Sequence, residues 1–218
     1  MVLVMQKKTR SLSDRSSAIG ALSEIIAGMK EAVTPHTEPL LELFYRALSD
    51  PDAEVQTNAA FASGLLVEHS QMDLSPQYLH LLSAFRPLFS IPADAPPAQV
   101  NARDNAVGAV SRMIYKNPAA VPLDQVLPVL FGAVPLTQDH LENRPLFRTV
   151  FALFKTQPQV LQPHLDKLLA LFAYVLDPSA PDQIGDEIRG ELLGLLATLY
   201  REVPDKVRAA GLAVFVEA

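Results

Sequence analysis

Residues 50–62 read Asp50-Pro51-Asp52-Ala53-Glu54-Val55-Gln56-Thr57-Asn58-Ala59-Ala60-Phe61-Ala62, and the fold follows from how this stretch is punctuated. A carboxylate beside a proline, followed by an acidic first turn, is the chemistry of a helix start. The side-chain oxygen accepts from amides that have no partner inside the helix, and negative charge suits the positive end of its dipole. Beyond the cap, small and apolar residues recur at helical rather than alternating spacing. The small-residue mark then returns along the chain: Ala18, Ala59, Ala106, Thr149 and Gly190 stand 41, 47, 43 and 41 residues apart. Their flanks match, as in Asn58-Ala59-Ala60 and Asn105-Ala106-Val107. Small residues at such places let two helices approach closely.

Prolines fill the intervals. Pro35, Pro76, Pro118, Pro158 and Pro204 are 41, 42, 40 and 46 residues apart, and proline fits a helix's first turn while breaking whatever precedes it. A second proline follows at Pro39, Pro122 and Pro163, leading into apolar stripes that read as the first helix of each unit. The sequence therefore predicts an all-α fold: a right-handed α-α superhelix of about five helix pairs, with the 40-to-47-residue repeat of HEAT and armadillo solenoids. First helices are expected near 36–48, 76–89, 119–132, 159–176 and, in part, 204–217. Second helices are expected near 12–30, 53–69, 98–116, 143–156 and 183–201. One array over 1–218 divides into repeats at 1–33, 34–73, 74–117, 118–157, 158–203 and 204–218, the first and last partial. Met1-Val2-Leu3-Val4-Met5 reads as the tail of a helix, and Leu212, Val214, Phe215 and Val216 are apolar at the other end, so the expectation is a piece of a longer array.

Composition narrows function. The chain has 18 Lys and Arg against 24 Asp and Glu, no Cys, no Trp and nine Gly in 218 residues. The absence of Cys removes disulfides, thiolate zinc sites and cysteine nucleophiles together. Five of the basic residues (Lys7, Lys8, Arg10, Arg15, Lys30) lie in the first 30, so thirteen basic and twenty-two acidic residues make the remaining body acidic. Such a surface favours basic partners and repels phosphate backbones; no direct nucleic-acid contact is expected. The longest apolar run, 168–176, is nine residues, well short of the roughly twenty that span a bilayer.

Catalytic and metal patterns are not met. The five His carry no metal-ligand spacing. Gly185 and Gly190 are followed by Glu191-Leu192 where a phosphate loop needs Lys and Ser or Thr, and Ser63-Gly64 lacks the glycine that opens a nucleophile elbow. No enzyme activity, cofactor or metal is expected. A solenoid works instead by offering a long concave surface. The polar residues beside the small-residue marks are then the candidates for binding: Asn58, Asn101, Asp104, Asn105, Glu142, Asn143, Glu187 and Glu191. Asn101, Asn105 and Arg112 share one helical stripe while Ala102, Ala106, Ala109 and Met113 form the packing stripe, so the asparagines are expected to face solvent on the inner wall; the alternative is that Asn58 and Asn105 bond to adjacent turns and the glutamates are simply solvated. Amides can hold the backbone of an extended peptide, and carboxylates a lysine ammonium.

The run 49–61, the matching Val100-Asn101-Ala102-Arg103-Asp104-Asn105-Ala106-Val107-Gly108 and the proline-rich loops resemble the C-terminal HEAT repeats of importin-beta superfamily receptors, nearest the importin-four or karyopherin one-two-three branch. The resemblance implies a nuclear import receptor that shuttles between cytoplasm and nucleus. It implies basic cargo such as histones H3 and H4 and ribosomal proteins, gripped through lysines by inner-wall Asn and Glu at positions matching Asn105 and Glu142, and less closely Asn58 and Glu191. Ran-GTP and phenylalanine-glycine segments of nucleoporins are implied partners of the full-length receptor. The alternative is a HEAT scaffold or adaptor that organises a complex through turns such as Asp50 and Asp52. A hydrolase hidden in a helical fold is a third reading, disfavoured by the unmet motifs.

Overall fold

The computed structural model describes residues 11–217; the apolar start at 1–5 lies outside them. Among the described residues there is no strand. Five long second helices alternate with shorter first ones: α1 Leu12–Met29, α2 Thr37–Leu48, α3 Ala53–His69, α4 Tyr78–Phe89, α5 Pro97–Lys116, α6 Leu123–Leu130, α7 Asn143–Thr156, α8 Pro158–Leu161, α9 Leu165–Val175, α10 Gly185–Glu202 and α11 Pro204–Ala209. No helix is long and apolar enough to cross a membrane among these residues.

The proline punctuation explains why the first helices are broken. Pro76, Pro118 and Pro163 each sit in a short 3-10 turn that precedes the helix proper. The single first helix expected over 159–176 is divided into α8, a 3-10 turn at Gln162–His164 and α9, because Pro163 cannot donate to a continuing ladder. The expected 119–132 helix shortens to α6 by the same effect at Pro122. Second helices start on better chemistry. Asp52 caps α3 by accepting from the Glu54 and Val55 amides at 2.9 and 3.2 Å. Ser11 and Asp14 cap α1 reciprocally, and Asp182 accepts from the Ile184 and Gly185 amides ahead of α10.

The second helices stack in order, α1 on α3, α3 on α5, α5 on α7 and α7 on α10, with α3 against α5 the most extensive contact. The small residues are the cause. Ala59 and Ala106 are fully buried and Thr149 nearly so, and a Cβ on Gly64 would lie 3.0 Å from the Ala109 Cα. Larger side chains fill the space between the two helix layers: Phe147 lies 5.8 Å from Phe151 and 5.9 Å from Phe172, centroid to centroid. Gly190 is the exception among the five marks. A side chain there would meet nothing within 4 Å, and the same holds at Gly194; Ile188, Leu192, Leu196 and Leu199 carry the packing of α10 instead.

The two kinds of glycine should respond oppositely. Gly64→Val would force α3 and α5 apart and cost about 2 kcal/mol, within the range for overpacking, whereas Gly194→Ala in open space should gain up to about 1 kcal/mol of helix propensity. Thermal melts followed by circular dichroism check this: a fall of roughly 4–8 °C for the first and no fall for the second.

Candidate functional site

Two clefts run along the exposed side of the second-helix layer and share Tyr115 and Arg148. One, of about 300 Å³, is lined by Glu68, His69, Arg112, Tyr115, Lys116, Pro145 and Arg148. The other, of about 550 Å³, is lined by Tyr115, Arg144, Arg148, Phe151, Ala152, Lys155, Thr156, Glu187, Ile188 and Glu191. Together they form a groove crossing α3, α5, α7 and α10.

The groove is built around Arg112. Its guanidinium engages the Glu142 carboxylate with both Nη atoms, Nη2 donating to Oε1 at 3.1 Å, while Nε donates to Glu68 Oε2 at 3.0 Å. The arginine side chain is 9% exposed and that of Glu142 1%. Glu68 uses its other oxygen, Oε1, to accept from Arg148 Nη1 at 3.2 Å, and Arg148 lies 4.7 Å over the Tyr115 ring. One cluster thus joins α3, α5, the turn before α7 and α7 itself. Glycine makes room for it: a Cβ on Gly108 would fall 1.3 Å from Glu142 Oε2. Burial alone would push the Glu68 carboxyl up, but Arg112 and Arg148 pull it below its ordinary value. Burial likewise works against the Arg112 charge, and its two carboxylates more than restore it.

The sequence-based candidates divide into two groups. Asp104 is fully buried, and its Oδ2 accepts from the Thr137, Gln138 and Asp139 amides at 2.9, 2.8 and 3.2 Å. Asn105 is 2% exposed and donates to the Asn101 carbonyl at 3.0 Å and to Asp139 Oδ2 at 3.0 Å. Glu142 and Asn143 are 1% exposed, the latter reaching the Gln183 carbonyl at 3.5 Å. The expectation that Asn105 faces solvent is therefore corrected. The turn before α7 folds back over the middle of α5, and its amides, which no helix satisfies, take their partners from that face. Asn58 is half-buried and donates to the Ser16 carbonyl and Oγ, both at 3.1 Å; Asn101 is half-buried too. Only Glu187 and Glu191 are open. Their side chains are 85% and 43% exposed, and they pair with Arg144 at 3.6 Å and Lys155 at 2.6 Å.

Sequence reasoning missed Glu68, Tyr115, Lys116 and Arg148. Glu68 and Arg112 are 44 residues apart and Glu68 and Arg148 are 80, one and two repeats, so opposite charges recurring at the repeat length were the available signal. The turn residues of the scaffold reading also have internal work: Asp50 takes both Nε and Nη2 of Arg15, at 2.9 and 3.1 Å, and Asp52 is the α3 cap. Ser63 is 1% exposed and donates to the Ala59 carbonyl at 2.7 Å.

Two outcomes test this cluster. Gly108→Ala should displace Glu142 and cost about 3 kcal/mol, the low end for breaking a buried pair because Glu68 still faces Arg112; Glu142→Ala should cost a similar amount, and the double variant no more than either. Calorimetric melts of the three variants measure it. Because Glu68 titrates lower folded than its ordinary 4.5, its contribution is complete above that value and disappears as pH falls through the depressed one. The melting-temperature gap between the native chain and Glu68→Gln should thus narrow steadily below pH 4.5.

No family model matches the chain. Individual proteins do. It is 39% identical over 194 residues, covering 89% of the chain, to the probable importin subunit beta-4 of Schizosaccharomyces pombe. It is 28% identical over 210 residues to human Importin-4 and 27% over 211 residues to the mouse protein, each covering 96% of the chain. The chain spans about a fifth of the length of these relatives, 18% of the first and 19% of the others. With two layers of paired helices stacked along the chain and similarity running through nearly all of them, the chain belongs to the importin-beta superfamily, on its importin-4 branch, as a stretch of HEAT-repeat solenoid.

Proposed function

We propose that this chain is a cargo-binding stretch of a nuclear import receptor and that its groove holds lysine-rich segments of basic proteins, histones and ribosomal proteins among them. The observation that carries the reading is the similarity to importins across 89% or more of the chain. In this reading the receptor shuttles between cytoplasm and nucleus, and its contacts with Ran-GTP and nucleoporins belong to the longer protein.

The groove lends the reading a specific form. A peptide ammonium needs a carboxylate that is accessible and weakly committed. Glu187 and Glu191 are both: exposed ion pairs contribute only about 0–1 kcal/mol, so a cargo lysine can replace Arg144 or Lys155 at little cost. Asn101 and Asn58, half-buried on the same helix layer, extend the polar wall. Asp104, Asn105, Glu142 and Asn143 support that wall from beneath, since each is at most 2% exposed and hydrogen-bonds within the chain. Replacing Asn105 and Glu142 would consequently perturb folding along with any binding, and the open glutamates are the better probes. Asp50 and Asp52 are poor probes of a scaffold for the same reason.

Titration of a fluorescent lysine-rich histone-tail peptide tests the reading. Glu187→Arg combined with Glu191→Arg should weaken binding at least tenfold, about 1.4 kcal/mol, lower the melting temperature only slightly through lost first-turn charge and exposed ion pairs, and match the loss caused by raised salt in the native chain. Equal affinity of native and variant chains would remove these carboxylates from the cargo site.

A further inference from the structure

The smaller cleft has a different electrostatic character from the rest of the chain. Three cations, Arg112, Lys116 and Arg148, face two carboxylates, Glu68 and Glu142, which leaves one positive charge in excess. Arg112 is consumed by its two carboxylates, and Arg148 shares Glu68 with it while also bonding Tyr115. Lys116 is exposed and makes no ion pair among the described residues: its ammonium donates to the Glu68 and Ser70 carbonyls at 3.2 and 3.3 Å. These are carbonyls at the C-terminal end of α3, where a cation is favoured but a formal charge is not matched. Beside it Tyr115 is 49% exposed, with the Arg148 guanidinium on its ring face and the largely buried Pro145 also lining the cleft.

We infer that this cleft is an interaction site for an acidic segment of a partner protein, which lays an Asp or Glu carboxylate between Lys116 and Arg148 and its backbone and apolar atoms along Tyr115 and Pro145. The proposal does not depend on the lysine-binding reading above, which uses the α10 end of the groove. Three physical points support it. The carboxylate supplies the charge that the cleft lacks, and a guanidinium has donors to spare beyond those bound to Glu68 and Tyr115, so Arg148 can hold Glu68 and a second carboxylate together. The volume of about 300 Å³ sits at the lower end of what ligand pockets occupy, enough for one or two side chains rather than a large ligand. The acidic charge elsewhere on the chain does not forbid the approach, because at physiological salt charges beyond about 8 Å are largely screened and the cleft's own cations decide.

Fluorescence anisotropy with the full 218-residue chain and a labelled peptide of alternating Glu and Ser tests the inference. Saturable binding that weakens with salt is expected. Lys116→Glu should lower affinity at least tenfold, and Lys116→Gln, which keeps a donor for the α3 carbonyls but not the charge, roughly threefold; Arg148→Gln should act like Lys116→Gln. Melts of each variant accompany the titrations, and if Lys116→Glu melts early the two glutamine variants decide. The lysine-rich peptide serves as a parallel probe whose affinity Lys116→Gln should not reduce, so loss of one activity is distinguishable from loss of the other. Absence of saturable binding by the acidic peptide, or unchanged affinity in folded Lys116→Gln and Arg148→Gln chains, would overturn the proposal. Tighter binding of a single-stranded oligouridylate, lost in the same variants, would also overturn it by assigning the cleft to phosphate.

Discussion

A single guanidinium sets the geometry on which the groove depends. Arg112 is carried on α5 into a place where its charge has little access to water, and such a charge is tolerated only with matched carboxylates in good geometry. Glu68 from α3 and Glu142 from the turn before α7 supply them, which forces three successive units into one relative position. An apolar trio of the same volume would hold the helices at least as strongly. What ions add is register, because sliding α7 by one helical turn, about 5.4 Å, would strand a buried charge. Gly108 belongs to the same constraint, since no side chain can share its place with the Glu142 carboxylate.

Elsewhere the units are joined by a related device, in which a polar side chain of a second helix meets backbone or a turn of its neighbour. Arg15 clamps Asp50, Asn58 reaches back to Ser16, Asp104 gathers three amides of the loop at 137–139, and Thr149 donates to the buried Ser111 carbonyl at 2.7 Å. The turns leave amides and carbonyls without helical partners, and burial between stacked pairs denies them water. Side chains from adjacent helices are the remaining source. A solenoid therefore needs polar residues at its joints for the same reason that it needs alanines between its second helices.

This explains how far the sequence could be read. The helix pairs were legible because their causes are local: prolines at 76, 118, 158 and 204 open helical segments, Pro35 sits within the 3-10 turn between α1 and α2, and the spacing of Ala18, Ala59, Ala106 and Thr149 marks faces that meet. The break between α8 and α9 was less legible, since it depends on which of two nearby prolines ends a turn. At the site, periodicity put Asn105 on a different stripe from Ala102 and Ala106, which is correct for α5 alone. It could not show that the loop at 137–139 returns over that stripe, because a contact between residues 34 positions apart leaves no trace in the pattern of either segment. Glu187 and Glu191 stay open because nothing folds over them. Lys116 and Tyr115 were overlooked because they flank the end of a helix, where composition is polar in almost any chain.

The same distinction between local and summed properties applies to charge. An acidic body argues for basic partners only if the acidic groups lie on the binding surface. Here many do not: Asp50, Asp52, Asp104 and Asp182 cap helices or hold turns, and Glu68 and Glu142 are committed to Arg112. Once those are spent, the groove presents separate regions, with carboxylates at α10 and an unmatched ammonium at the α3–α5 junction. Screening over roughly 8 Å keeps the two from cancelling along a surface that crosses four helices, each about 8–10 Å from the next. Net charge then governs how such a chain stays dissolved and meets its partners, while recognition is left to the few groups whose hydrogen bonds the fold has not already used.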